Sequence, residues 1–502
     1  MRALRGLNPT VVFVFLGLIS TAFYAGITYL YPITLAAGAP RAYDLEQFSR
    51  GHEWAALFYT VGLLVVFGAF AASLFVVRRL SRPLPLIMGF GLLNAFILLW
   101  IYPITAIDIF YYVVEGRMQS LYGLNPMISP AGAAPLDRLL PFIGEWKSVP
   151  TAYGPLWNFT AATVVRLGFA DEVSGPLAFK VLMLVAYVAC IWVLLSGTGR
   201  KMEAVLLFAW NPLVLLQGPA HAHNDMLMMT VAVLGLVLWE KRRWWWAAVV
   251  LLALAASIKL PVMLLAPLLI FAVLRAQDSW GRRAWIFVAS AFLGAAAMLA
   301  TYIPYWPPWQ NLGGLGDMFA TQRTYTIASL VRLSLAKLQV PAPYDFQIPR
   351  TIGMIIFIAC YVVLLRRIWT GKMGLYTAGF WAMFIYLLTS TSYRIWYPLW
   401  AIPLGILAHG ELRDAILLAR MRWRIYLLSL TSELSVLMFI LLWRWVLNGV
   451  VLPKADWFFI HLITIPWQFG VPLLAPLLIR RRPPIGATPD AEGPPQVITQ
   501  PG

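Results

Sequence analysis

Apolar stretches approaching twenty residues recur along almost the whole chain, and no other feature restricts its fold as strongly. A helix needs about 20 residues to cross ~30 Å of hydrocarbon. Val11–Leu30, Ala55–Val77, Leu84–Tyr102, Leu177–Leu195, Ile286–Tyr302, Thr351–Leu365 and Ile425–Leu447 are clear examples. Inside a bilayer every backbone N–H and C=O must find a partner within the protein, which leaves helices or a closed barrel. Continuous apolar runs, rather than alternation of polar and apolar residues, select the helix. Composition agrees: 12% of the 502 residues are charged, about half of the ~25% typical of a soluble domain. The expectation is an all-α, polytopic transmembrane protein with about 11–13 membrane helices. Residues 1–482 form one domain in this reading, and the Pro/Gly-rich 483–502 is a disordered cytoplasmic tail.

The net charge of +17 invites a nucleic-acid reading, but its placement argues against one. Basic residues stand in short clusters between apolar spans: Arg78, Arg79 and Arg82; Arg200 and Lys201; Lys241 to Arg243; Arg366 and Arg367; Arg420, Arg422 and Arg424; Arg480 to Arg482. Such clusters mark cytoplasmic loops, so the expected partner is the lipid bilayer of the plasma membrane. Cys190 and Cys360 lie inside apolar segments, which disfavours a disulfide or a zinc site. The first span follows Arg2 and Arg5 and reads as a retained helix rather than a cleaved signal.

With the N-terminus inside, 105–150 and 303–350 become large extracytoplasmic loops. Tyr153–Phe169 upsets the parity if it spans, and is expected to be re-entrant or packed within protein. Two apolar runs are split at Lys259-Leu260-Pro261, where a lysine can snorkel or bind an anion. On this topology Asp108, Glu115, Arg117, His221, His223, Asn224, Asp225, Lys259, Arg323 and Arg394 share the outer face. A charge at bilayer depth costs about 2.5–3.5 kcal/mol, so their convergence points to a site.

The segment Ile107–Leu121 reads as a helix that stops at Gly123 and Asn125-Pro126, with Asp108, Tyr112, Glu115 and Gln119 on one face. The alternative is an interfacial amphipathic helix with Asp108 as its N-cap. In HAHND, His221, His223 and Asp225 are candidate ligands for a divalent metal, although the spacing is not a zinc signature. Alternatively Asn224 or Asp225 caps the next helix.

Taken in order, DIFYYVVEGR, GLNP, YGPL, NPLVLL, HAHND and SIKLP resemble the polyprenol-phosphate-mannose-dependent mannosyltransferases. The similarity is greatest to their α-(1→6)-mannosyltransferase branch, within the GT-C class of membrane glycosyltransferases. It runs from about residue 105 to 265. The resemblance implies a GT-C-like fold whose first large outer loop is catalytic, with Asp108 as the base. It matches the family's G-R, G-x-N-P and His-Asn-Asp elements to Gly116-Arg117, to Gly123, Asn125 and Pro126, and to His223, Asn224 and Asp225, and its lysine to Lys259. Tyr153 of YGPL joins Glu115, Arg117, Asn125, His223, Asn224, Asp225, Lys259, Arg323 and Arg394 as an expected substrate contact.

The chemistry is coherent with that implication. Transfer from a polyprenyl-phosphate sugar needs one carboxylate to deprotonate the acceptor, because phosphate leaves unprotonated. Glycosidases need two carboxylates because an alkoxide leaves. No cofactor is called for, although a divalent metal is compatible. The expected partners are a polyprenyl-phosphate sugar donor, a lipid-linked or glycan acceptor and the bilayer. A transporter or flippase is the rival reading, but such proteins are commonly built from internal repeats, and DIFYY, YGPL and HND have no second copy.

Overall fold

The computed structural model describes residues 7–50, 52–311, 325–439, 441–442 and 457–479. Arg323, Arg480 to Arg482 and the 483–502 tail lie outside the described residues, as does part of the 303–350 loop. The described residues contain no β-strand, only an isolated bridge between Pro32 and Ile101. The helices are α1 (Pro9–Leu30), α2 (Glu53–Val76), α3 (Pro83–Leu98), α4 (Asp108–Leu121), α5 (Pro155–Arg166), α6 (Ser174–Gly197) and α7 (Met202–Ala209). Then follow α8 (Pro212–Leu215), which runs into a π-turn at Leu216–Ala220, α9 (Asp225–Arg242), α10 (Trp245–Ala256) and α11 (Leu265–Arg275), entered through a 3₁₀ turn at Leu260–Leu264. The remainder are α12 (Trp280–Thr301), α13 (Ile327–Lys337), α14 (Tyr344–Trp369), α15 (Leu375–Thr389), α16 (Ile402–Leu407), α17 (Ala415–Val436) and α18 (Trp457–Leu474).

Among the described residues, six helices are long and apolar enough to cross a membrane: α1, α2, α6, α12, α14 and α18. Pro212–Ala220 and Asp225–Arg242 pass the same test only as a pair, and they are bent by 110° at their junction. The helices α3, α10 and α15 and the segment Leu260–Arg275 are apolar but shorter. The protein is therefore all-α and polytopic, as its apolar pattern requires.

Ile425–Leu447 differs from its sequence reading, whereas Tyr153–Phe169 packs within protein as that reading expected. Tyr153–Phe169 forms only the 12-residue α5, about 18 Å long at ~1.5 Å per residue, too short to span. It packs against α4 instead, so closely that a Cβ on Gly116 would lie 2.4 Å from the Ala161 carbonyl oxygen. The apolar run Ile425–Leu447 enters its helix ten residues early: α17 begins at Ala415, where Asp414 caps the amides of Ile416 and Leu417. Arg420, Arg422 and Arg424 are thereby borne on a helix rather than a loop. Arg424 lies 4.7 Å from the Trp381 ring, and Arg422 and Arg78 both pair with Glu203.

The broken pair α8–α9 is the hub, with every residue from Ala204 to Met226 buried. Traced along their lengths, the helices carry Arg78, Arg200, Lys241, Arg366 and Arg420 at one end of the bundle. Cross-links there include Lys201 Nζ donating to the His409 carbonyl at 2.5 Å. The other end holds Asp108 and the 221–225 break, tied by Tyr102 N–H to the Tyr31 carbonyl (2.6 Å) and Thr301 Oγ1 to Ser257 Oγ (3.1 Å).

Candidate active site

Helix α4 starts one residue after its N-cap, Ile107, and no side chain caps it. Asp108 is thus not the N-cap, and its carboxylate is left for other partners. Residues Asp108 to Met118 are all buried, so α4 is packed on every side rather than lying at an interface. Asp108 Oδ2 accepts a hydrogen bond from the Tyr153 hydroxyl (3.4 Å) and lies 3.9 Å from His223 Nδ1. Burial pushes the Asp108 carboxyl above the usual carboxylate range, and the nearby cations Arg394 and Lys259 partly offset it.

Tyr153 reaches Asp108 because the YGPL turn is clamped onto the end of α10. Gly154 N–H donates to the Ile258 carbonyl (3.0 Å) and Leu156 N–H to the Ser257 carbonyl (3.0 Å). A Cβ on Gly154 would stand 2.3 Å from the Ser257 oxygen, so only glycine fits. Both turns carry polar groups on their far sides: Tyr153 on one, Lys259 on the other.

The 221–225 break supplies the third wall. It contains Ala222 at φ +54°, a left-handed conformation rare for a residue with a side chain. His223, Asn224 and Asp225 are fully buried. Both Asp225 oxygens accept from Lys259 Nζ at 2.9 Å, and the Trp400 indole N–H also donates to this carboxylate. Lys259 sits among three rings, 5.7 Å from Tyr153, 5.1 Å from Tyr397 and 5.7 Å from Trp400. It does not snorkel outward. His223 stacks flat on Trp396 (3.8 Å, 14°), and no ring nitrogen of it closes a hydrogen bond among the described residues. His221 turns elsewhere, its Nδ1 3.0 Å from Thr105 Oγ1. His221, His223 and Asp225 therefore do not converge as ligands, and the described residues contain no group of three or more His, Cys, Asp or Glu arranged to hold a metal.

Two cavities meet at this cluster. One, of about 270 Å³, is bordered by Asp44, Thr105, Asp108, Glu145, Trp146, Arg394 and Trp396. The other, of about 310 Å³, is bordered by Lys259, Arg350, Tyr397, Trp400 and the hydroxyls of Thr389 to Ser392. A neck of about 30 Å³ shares Asp108, Trp146, Arg394 and Trp396 with the first and Ala152, Lys259 and Tyr397 with the second. Arg394 lies 5.9 Å from the Trp146 ring and has no salt-bridge partner among the described residues.

The structure thus gathers Asp108, Tyr153, His223, Asn224, Asp225, Lys259 and Arg394. It does not bring in Arg117, whose guanidinium binds Asp137 (2.7 Å) and the Ala170 carbonyl (2.9 Å). Nor does it bring in Asn125, whose side-chain oxygen accepts from Met127 N–H (2.9 Å) and shapes a turn. Glu115 points into protein near Tyr111 and Thr151, and neither of its carboxylate oxygens closes a hydrogen bond among the described residues. Burial raises its carboxyl to about 8. Trp146, Arg350 and Trp400 were not singled out in the sequence.

Comparison with known proteins is consistent with this layout. The alpha-(1->6)-mannopyranosyltransferase A of Mycobacterium tuberculosis is 26% identical over 333 residues, 61% of each chain. Its Corynebacterium glutamicum namesake is 24% identical over 173 residues, 34% of this chain and 35% of that protein. Alpha-(1->6)-mannopyranosyltransferase B of C. glutamicum is 27% identical over 144 residues, 27% of this chain and 24% of its own. The chain therefore spans about three fifths of the first of these relatives and about a third of the second. No solved structure matches. The family model described as Alpha-(1->6)-mannopyranosyltransferase, N-terminal domain, matches residues 14–275, more than half of the chain, and the chain belongs to that family.

Proposed function

We propose that this protein is a membrane mannosyltransferase that takes mannose from a polyprenyl-phosphate carrier. It adds the sugar to a lipid-linked or glycan acceptor on the extracytoplasmic face of the plasma membrane. The observation that carries this reading is the position of Asp108 at the neck between two cavities, beside Lys259 and with Arg394, which has no salt-bridge partner among the described residues, on the same neck. The names of the relatives support mannose as the sugar. The basic end of the bundle, remote from Asp108, is the cytoplasmic end by the positive-inside rule.

In the reaction the acceptor hydroxyl gives its proton to the Asp108 carboxylate as its oxygen attacks the anomeric carbon. The carbon–oxygen bond to phosphate breaks on the opposite face, and the product is inverted. Polyprenyl phosphate departs as an anion, so no second acid is needed. The raised proton affinity of buried Asp108 suits a base. Arg394 is positioned to meet the developing phosphate charge, whereas Lys259, already neutralised by Asp225, chiefly holds Tyr153, Tyr397 and Trp400 in place. Tyr153 orients the carboxylate through its hydroxyl, and His223, stacked on Trp396, stands beside it. Arg117, Asn125 and Glu115 act as structural supports of α4 and the loop after it.

The test is transfer of radiolabelled mannose from polyprenyl-phosphate-mannose into membrane lipids or glycans, with wild type beside Asp108→Asn. A loss of about 10²–10⁴-fold in a normally folded variant is expected. Undiminished transfer would remove Asp108 from the role of base.

A further inference from the structure

The two cavities differ in the sign of their charge. The 270 Å³ cavity is bordered by the carboxylates of Asp44, Asp108 and Glu145, and Arg394 stands at its inner end, at the neck. The 310 Å³ cavity has Lys259 and Arg350 on its walls and no carboxylate among its described lining residues. A site discriminates by repulsion as well as attraction. A lipid phosphate entering the first cavity would pass two or three carboxylates, and in the second it meets Arg350 and hydroxyls beside the Asp225-paired Lys259. Sugar hydroxyls, by contrast, donate well to carboxylates and need no countercharge.

A second observation points to a polar ligand in the first cavity. Trp396, on its wall, is only 7% exposed, and its indole N–H has no hydrogen-bond partner among the described residues. A buried, unpaired donor is costly unless something fills it. Its ring plane is committed to His223, so the N–H is held in place before any ligand arrives.

Resting on the mannosyltransferase reading, we propose that the 270 Å³ cavity is the acceptor subsite and takes an uncharged hexose, whose hydroxyls meet Glu145 and the Trp396 N–H. The 310 Å³ cavity takes the anionic donor head group, with Arg350 as a phosphate contact. Charge, rather than shape alone, sorts the two substrates to opposite sides of Asp108. Glu145 is exposed on its loop, so replacing it leaves the core untouched. Trp396→Phe keeps an aromatic ring for His223 to stack on and removes the N–H donor.

Full-length protein in detergent or nanodiscs is titrated with two probes, an uncharged alkyl α-mannoside and a short-chain prenyl phosphate. Glu145→Ala and Trp396→Phe are expected to weaken mannoside binding about tenfold, as loss of one hydrogen bond to a charged or buried group implies. Both should leave prenyl phosphate binding unchanged, and Arg350→Ala should give the reverse pattern. Exchange of the two patterns, equal effects on both probes, or a wild type that does not bind the mannoside would overturn the assignment. Turnover is measured separately. Binding that sorts as expected with no mannosyl transfer would sink the transfer reading while leaving the charge-sorted subsites standing.

Discussion

Asp108 begins a helix without capping it, which leaves its carboxylate available for the role of base proposed for it. Its proton affinity is set by burial, which raises it, against Arg394 and Lys259, which lower it. Arg394→Ala removes the leading counterweight, so Asp108 should hold its proton to higher pH. The acid limb of the kcat/KM profile is expected to move upward in pH, with a lower plateau; an unmoved limb would mean that another group titrates. Glu115 gives a stability prediction. Its carboxyl holds a proton up to about 8 in the folded protein, against an ordinary value of 4.5. Between those values the unfolded chain is ionised and the folded one is not, so stability falls as pH rises through that window. Glu115→Gln keeps the shape without the proton. It should raise the midpoint of thermal unfolding at pH 7–8 and flatten its pH dependence, as followed by fluorescence in detergent. Asp108, His223, Asp225 and Lys259 were legible at this scale because each is a costly polar residue in an apolar neighbourhood. Arg117 misled for the same reason: its partner Asp137 lies twenty residues on, in a loop whose path the sequence does not reveal.

At the scale of elements, two glycines decide how close the segments around Asp108 come. Gly116 lets α4 lie against α5, and Gly154 lets the YGPL turn lie on the end of α10. Gly154→Ala would force the turn off Ser257, where the added Cβ would stand 2.3 Å from a backbone oxygen, and would carry Tyr153 away from Asp108. Overpacking of this kind costs about 1–3 kcal/mol, and activity should fall more than stability does. A variant with wild-type turnover would show that the turn does not position Tyr153. The break between α8 and α9 was legible from Gly218-Pro219 and the polar run after it. Its 110° bend was not, because bend angle depends on what packs around the break. Hydropathy alone would let α5 span, the parity of the loops argued against it, and its 12 residues of regular helix are too few to cross.

For the whole molecule, the proposed orientation makes a test by thiol labelling possible. In a background with Cys360 replaced, cysteine at Leu136, which is 94% exposed, should react in intact cells with a membrane-impermeant reagent. Cysteine at Trp280, 75% exposed at the opposite end, should react only after the cells are opened. The reverse result would turn the protein over and place Asp108 on the cytoplasmic side. Ala220, in the outer segment by the same topology, is useless as a reporter because it is fully buried.

The sequence alone determined the class of fold, and its basic clusters carry the proposed orientation of the bundle. Hydrocarbon thickness and backbone pairing leave little choice once apolar runs of this length recur, and basic clusters between them are a local signal. It also pointed to the short segments proposed to carry the chemistry, since polar residues are expensive there and stand out. The tertiary structure decided which of those residues meet. Trp396 and Trp400 come from the C-terminal half, beyond the 14–275 region matched by the family, to stack on His223 and to bind Asp225. Arg350 and Glu145 acquire opposite places only because two cavities close around one neck. Such pairings depend on contacts between residues more than a hundred positions apart, and no local pattern of apolar and polar residues encodes them.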